Sequence, residues 1–237
     1  MIRLALVCAV SVAFGVGAGA SRTPVVVVDP GHDQYANLST EPIGPGSTTL
    51  KIKDGGGTRG VVTGLSEAEL NLRVALRVRS LLEHAGVRVV MTRTATSGKG
   101  IGNIARARIA NDAHAALFLR IHADGSPDAS TRGTHTLYPG FHRGWTDDIY
   151  AASRRAAQIV QAEEVRALGF PDVGLQPRSD YTGFNWSNVP AILVEMGFMT
   201  NPTEDRLLAT AEYERRAAVG LCRGTLRFLR RSMRPCG

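Results

Sequence analysis

Short apolar runs rich in β-branched residues alternate along this chain with segments of helical periodicity, and no other feature limits its fold as much. The alternation begins at Val25 to Val28, a run of valines that breaks on Asp29, Pro30, Gly31 and His32. A chain patterned in this way builds an α/β domain around a largely parallel sheet. The apolar runs predict strands over 24–29, 87–92, 115–121, 133–138 and 191–194. The helical pattern predicts helices over 66–84, 103–112, 147–168, 202–210 and 213–230. Ser66 with Glu69 three residues on forms a capping box, and Gly86 after His84 marks a stop. Segment 33–64, rich in Gly, Pro, Ser and Thr, reads as one long loop between the first strand and the first helix. Within it, Asp54 to Gly60 lacks the Lys-Ser/Thr of a phosphate-binding loop. It reads as a mobile surface loop, with one wall of a cleft as the alternative.

Residues 1–20 read as a secretory signal rather than as part of the fold. Arg3 precedes an apolar stretch from Leu4 to Val16, and Ala18, Gly19 and Ala20 give a small-residue cleavage site. The remaining 21–237 suit a single domain with a sizeable core, with no membrane span in the mature chain. The formal charge of +7 resides almost wholly on Arg, since Lys occurs only at 51, 53 and 99. A basic balance points to nucleic acid, to an anionic polymer or to nothing beyond solubility, and export to the periplasm or cell wall makes nucleic acid the weakest of these. Cys222 and Cys236 are free to pair in an oxidising compartment, provided the tail folds back after the last helix; two free thiols are the alternative.

In α/β sheets, side chains just beyond the carboxyl ends of strands converge on a ligand crevice. His32 follows the first predicted strand, His122 ends the third and Glu195 ends the last. Glu67 adds a fourth group. It lies one turn before Leu70 and Asn71 on the apolar stripe of the first helix, whereas Glu69 aligns with Arg73 and Arg77 on the polar side. An inward carboxylate is costly unless it is paired with a core Arg or bound to metal. Two imidazoles and one carboxylate are the ligand set of catalytic zinc, with Glu195 as the carboxylate that moves protons.

Four ordered segments, VVVVDPGHD, GLSEAELNL, LFLRIHADG and VPAILVEMGFMTN, resemble the zinc-dependent N-acetylmuramoyl-L-alanine amidases of the amidase 3 type. The resemblance runs from about Val25 to Phe228. It implies a twisted sheet flanked by helices, Zn2+ bound by His32, Glu67 and His122, and Glu195 as the catalytic residue. It also implies a substrate, peptidoglycan or its muropeptides, cut at the amide between muramic acid and L-alanine. The chain is read as a monomer acting in wall remodelling or recycling. Asn71 and Asn201 match family positions and are expected to hold helix and loop. Arg120 stands where a small Ser is common, Asp124 where Asn is usual, and the acid common after Thr92-Arg93 is missing. Another zinc hydrolase of wall peptides or sugars, or a non-catalytic wall binder, are the competing readings.

Other candidates are weaker. His135 falls within a predicted strand from which a cleft is within reach, while His84 caps a helix and His114 and His142 belong to turns. Asp29 either orients a ligand imidazole or caps the Pro30-Gly31 turn. Phe184, Asn185 and Trp186 either line the groove or pack beneath a loop.

Overall fold

The valine run forms β1 (Val25–Pro30), whose Val26, Val27 and Val28 are fully buried because both faces of the strand are covered. The structure is a computed structural model that describes residues 23–96 and 98–237; the expected export signal at 1–20 lies outside the described residues. After β1 come a hairpin of β2 (Asn37–Pro42) and β3 (Leu50–Asp54), then α1 (Glu67–His84) and β4 (Arg88–Met91). Next are α2 (Asn103–Asp112), β5 (Leu117–Asp124), β6 (Thr134–Pro139), α3 (Tyr150–Leu168) and β7 (Asp172–Arg178). A short α4 (Thr182–Asn185), β8 (Ala191–Phe198), α5 (Pro202–Leu208), α6 (Ala211–Phe228) and a final 3-10 turn complete the chain.

The main sheet has the order β4-β1-β5-β8-β6-β7. The first four strands in that order run parallel, whereas β6 pairs antiparallel with β8 and carries β7 alongside it. This is the mostly parallel sheet expected, with a reversed pair at one edge. Alternation along the strands divides the core into two layers. Leu117, Leu119 and Ile121 of β5, with Ile192, Val194 and Met196 of β8, pack under α1, α3 and α6. Phe118 and Leu193, with Val27, face α2 and α4 instead. Arg120, His122 and Glu195 fall on this second face by the same two-residue period.

Three expectations need correction. Segment 33–64 is not one loop, because Lys51 and Lys53 alternate with Leu50 and Ile52 to give a strand that closes a hairpin onto β2. Strand β7 was not foreseen, since Gly174 and Pro177 interrupt any apolar run there. Helix α3 starts at Tyr150 rather than at 147: Thr146 is buried with its hydroxyl on Gly140 O at 2.6 Å, which keeps the preceding residues in a turn. At the C-terminus, Cys222 of α6 is joined to Cys236 by a disulfide that folds the tail back onto the helix. No described helix is long and apolar enough to cross a membrane.

Candidate metal centre

The ladder between β1 and β5 extends one residue past β1, as Gly31 N donates to Ile121 O at 2.9 Å. His32 then takes a left-handed backbone, with φ of 59°, which turns its ring back over the sheet edge. That conformation costs a non-glycine residue about 1–2 kcal/mol, so surrounding contacts must hold it. Gly31 is required here: a Cβ would fall 2.1 Å from Cε1 of His122. Its absence lets the two rings meet edge to face with centroids 4.9 Å apart.

Strands β5 and β8 continue past His122 and Glu195 instead of ending at them, and the two residues are direct register partners. Glu67 is the first residue of α1, after the cap Ser66, whose hydroxyl accepts from Glu69 N at 3.3 Å. Glu67 is buried while Glu69 is exposed and pairs with Arg73 one turn on. Glu67 Oε1 lies 2.9 Å from His122 Nδ1 and 3.3 Å from His32 Nε2. The same oxygen accepts from Asn71 Nδ2 at 3.2 Å, and Oε2 accepts from Thr58 N at 2.8 Å. The alternative partner, a core Arg, is not found on Glu67 among the described residues.

Asp54 is the important residue that sequence reasoning missed. Its Oδ1 lies 2.6 Å from His32 Nδ1, which leaves Nε2 to face Glu67. The signal was the alternation of Leu50 to Asp54, which places the acid at the end of a strand and in line with the site. The segment that follows Asp54 forms a wall of the cleft, since Gly57 and Thr58 lie against His32 and Glu67. Asp29 neither orients an imidazole nor caps a turn. It is fully buried between Arg106 Nη1 at 2.6 Å and Arg120 Nε at 2.8 Å, with Thr92 Oγ1 donating to it at 2.5 Å. Asn185 and Trp186 tie down the hairpin, with Trp186 Nε1 on Pro42 O and Asn185 Nδ2 on Ile43 O, while Phe184 is buried in the core. His135 pairs with Glu195 across the antiparallel ladder and lies 3.4 Å from Asp124. Asn201 caps α5 through Thr203 N and Glu204 N.

His32, Glu67 and His122 shift one another's protonation. Burial opposes charge on His32, but Glu67 and the hydrogen bonds from Asp54 and Glu67 outweigh it and lift the ring to about 10. His122 goes the other way, down to about 4, because burial outweighs the pull of Glu67. Burial also opposes charge on Glu67, yet its two imidazole neighbours hold the carboxyl well below its ordinary range.

The donor set fits a metal on geometry. One ligand atom from each of His32, Glu67 and His122 lies within 4.8 Å of the others. The 2.9 and 3.3 Å separations bracket the short end of the roughly 3.3 Å edge of a tetrahedron with bonds of about 2.0–2.1 Å. Two imidazoles and a carboxylate suit zinc better than magnesium or calcium, which prefer oxygen. Across the cavity, Glu195 Oε2 is buried without a partner. Its carboxyl is pushed well above the ordinary range by burial, then by the charges of Glu67 and Asp124. The cavity between them encloses about 650 Å³.

Residues 26–227 match the family model described as N-acetylmuramoyl-L-alanine amidase. The chain is 32% identical over 225 residues to an N-acetylmuramoyl-L-alanine amidase of Mycobacterium tuberculosis, covering 89% of this chain and 90% of that relative. It is 27% identical to the amidase AmiA of Escherichia coli, over 86% of this chain and 75% of AmiA. Among solved structures, it resembles the N-acetylmuramyl-L-alanine amidase Ami1 of Mycobacterium smegmatis. That likeness has a TM-score of 0.78 at 31% identity, over 87% of this chain and 96% of Ami1.

Proposed function

The chain belongs to the N-acetylmuramoyl-L-alanine amidase family, and from that membership we propose that it is an exported, zinc-dependent hydrolase of peptidoglycan. Its reaction is hydrolysis of the amide between the lactyl group of N-acetylmuramic acid and L-alanine. The observation that carries the metal reading is the convergence of His32, Glu67 and His122 opposite a buried, unpartnered Glu195. A wall-binding protein without activity has no need of that fourth carboxylate.

His32 through Nε2, Glu67 and His122 would hold the ion, and Asp54 would fix the His32 tautomer by accepting from Nδ1. Zinc held there would supply a Lewis acid for the scissile carbonyl and would lower the pKa of water toward about 7. Glu195 accepts the proton that the attacking water gives up and returns it to the leaving nitrogen. The carbonyl carbon gains a C–O bond and loses its C–N bond, leaving a lactyl carboxylate and a free L-alanine amino group.

Residues 1–20, outside the described residues, would direct export, and the Arg-rich surface would favour anionic wall polymers. Zinc stoichiometry tests the site directly. Wild type should carry one equivalent, and His32→Ala or His122→Ala should carry none while remaining folded by circular dichroism. Retention of a full equivalent by both variants would overturn the ligand set.

A further inference from the structure

Apart from Asp54, Glu67 and Glu195 at the metal centre, the cavity wall carries five cations, Lys51, Lys53, Arg106, Arg120 and Arg178, and two carboxylates, Asp124 and Asp180, with a third, the fully buried Asp29, behind it. Two of those carboxylates are each shared by two cations. At the floor, Asp29 takes both Arg106 and Arg120, at 2.6 and 2.8 Å. At the rim, Asp180 takes both Lys51 and Arg178, at 3.2 and 2.9 Å. The third, Asp124, is 3.4 Å from His135. Segment 178–183 joins floor to rim. Arg178 lies 4.6 Å from the Tyr181 ring centroid and Lys51 lies 5.6 Å from it. Gly183 leaves room for Arg120, whose Nη1 would be 2.4 Å from a Cβ there.

Arg120 is held rigidly. Nε is on Asp29 and Nη2 donates to Asn103 Oδ1 at 2.7 Å, which leaves Nη1 beside Gly183. It is 3% exposed, so its charge acts through a medium of low polarity. In the sheet it precedes His122 by two residues on the same face, and its partner Leu193 precedes Glu195 by two. Two strand residues span roughly 7 Å. An extended peptide also covers roughly 7 Å in two residues, so a group on the second residue of a stem peptide lies at this distance from the scissile amide.

We propose that Arg120 and the Lys51–Arg178 pair form a carboxylate-recognition wall that selects stem peptides whose second residue keeps a free carboxylate over those bearing its carboxamide. This rests on the amidase reading and gives it a substrate class. A guanidinium fixed by two side chains and short of one counter-charge is suited to a carboxylate through charge-assisted hydrogen bonds, which a neutral amide makes more weakly.

The test pairs two muramoyl-L-alanyl substrates that differ only in a carboxylate or carboxamide on the second residue. Wild type should favour the acid in kcat/KM by about tenfold or more, the size of one charge-assisted bond. Arg178→Gln and Lys51→Met, both at partly exposed positions, should each move the ratio toward one. Arg120→Lys, which keeps the charge but loses the planar fork, should move it further. A general loss of folding or metal lowers both rates and leaves the ratio alone. Equal rates in wild type, or an unchanged ratio in all three variants, would overturn the wall while leaving the amidase reading intact. Cleavage of neither substrate would count against the amidase reading. In that event, calorimetric binding of the two corresponding L-alanyl peptides decides the wall, which equal affinities would overturn.

Discussion

Glu195 and Asp54 illustrate two ways in which a carboxylate serves this site. Glu195 has a buried oxygen without a partner and faces the cavity, as a proton carrier should. Glu195→Gln should therefore lower kcat by about 10²–10⁴-fold, the usual worth of a general base, while zinc content stays at one equivalent. Loss of zinc in that variant would make Glu195 a ligand. Asp54 instead acts through His32, on which its carboxylate lies at 2.6 Å. Asp54→Asn should weaken zinc about 10–100-fold in competition with a chelator, as removal of such outer partners does. Unchanged affinity would reduce Asp54 to a loop anchor. The sequence displayed His32, Glu67, His122 and Glu195 because each stands in a short local pattern, and helix phase alone separates inward Glu67 from outward Glu69. The alternation of Leu50 to Asp54 hints at a strand that ends on the acid, but the contact of Asp54 with His32, across 22 residues, has no local signature. Asp29 was misassigned for the same reason, since its partners Arg106 and Arg120 come from other elements.

Among the elements, α6 carries two testable features. Its Cys222 bridges to Cys236, closing a loop of sequence separation 14, for which chain entropy gives about 3 kcal/mol. Denaturation midpoints with and without reductant should differ accordingly; coincident curves, or intact mass showing two free thiols, would contradict the bridge. Against Gly220 of the same helix packs Glu164 of α3, whose two carboxylate oxygens are buried without hydrogen-bond partners. Burial raises its pKa well above the ordinary range. The folded chain thus keeps a proton that the unfolded chain releases. The stability gained from that proton is complete below the ordinary carboxyl range and is lost as pH rises toward the higher folded value. Glu164→Met should stabilise the protein at pH 8 by about 1–3 kcal/mol, the cost of an unsatisfied buried polar group, and by less near pH 4. A gain independent of pH would show that Glu164 does not titrate in this way. The bridge required only that the tail return to the helix. Glu164 could not be singled out beforehand, because a Glu on a helix is ordinarily solvated.

Across the whole molecule, the alternation that opens at Val25 foretells the α/β class, five of the strands and all the described α-helices except the short α4. What it does not foretell depends on partners distant in sequence: the hairpin within 33–64, strand β7 and the reversal of β6 and β7 relative to the other strands. The hairpin is the most consequential of these. It brings Asp54 to the metal centre and Lys51 to the rim, turning a shallow sheet edge into a cleft. All of these parts serve one reaction, and mass spectrometry of the products from a purified muropeptide tests it most directly. Zinc-loaded enzyme should release a peptide with a free L-alanine amino terminus and leave an intact muramic acid, with both products lost on chelation and restored by added zinc. A cut at any other bond, or the same products at the same rate in the chelated protein, would contradict the account.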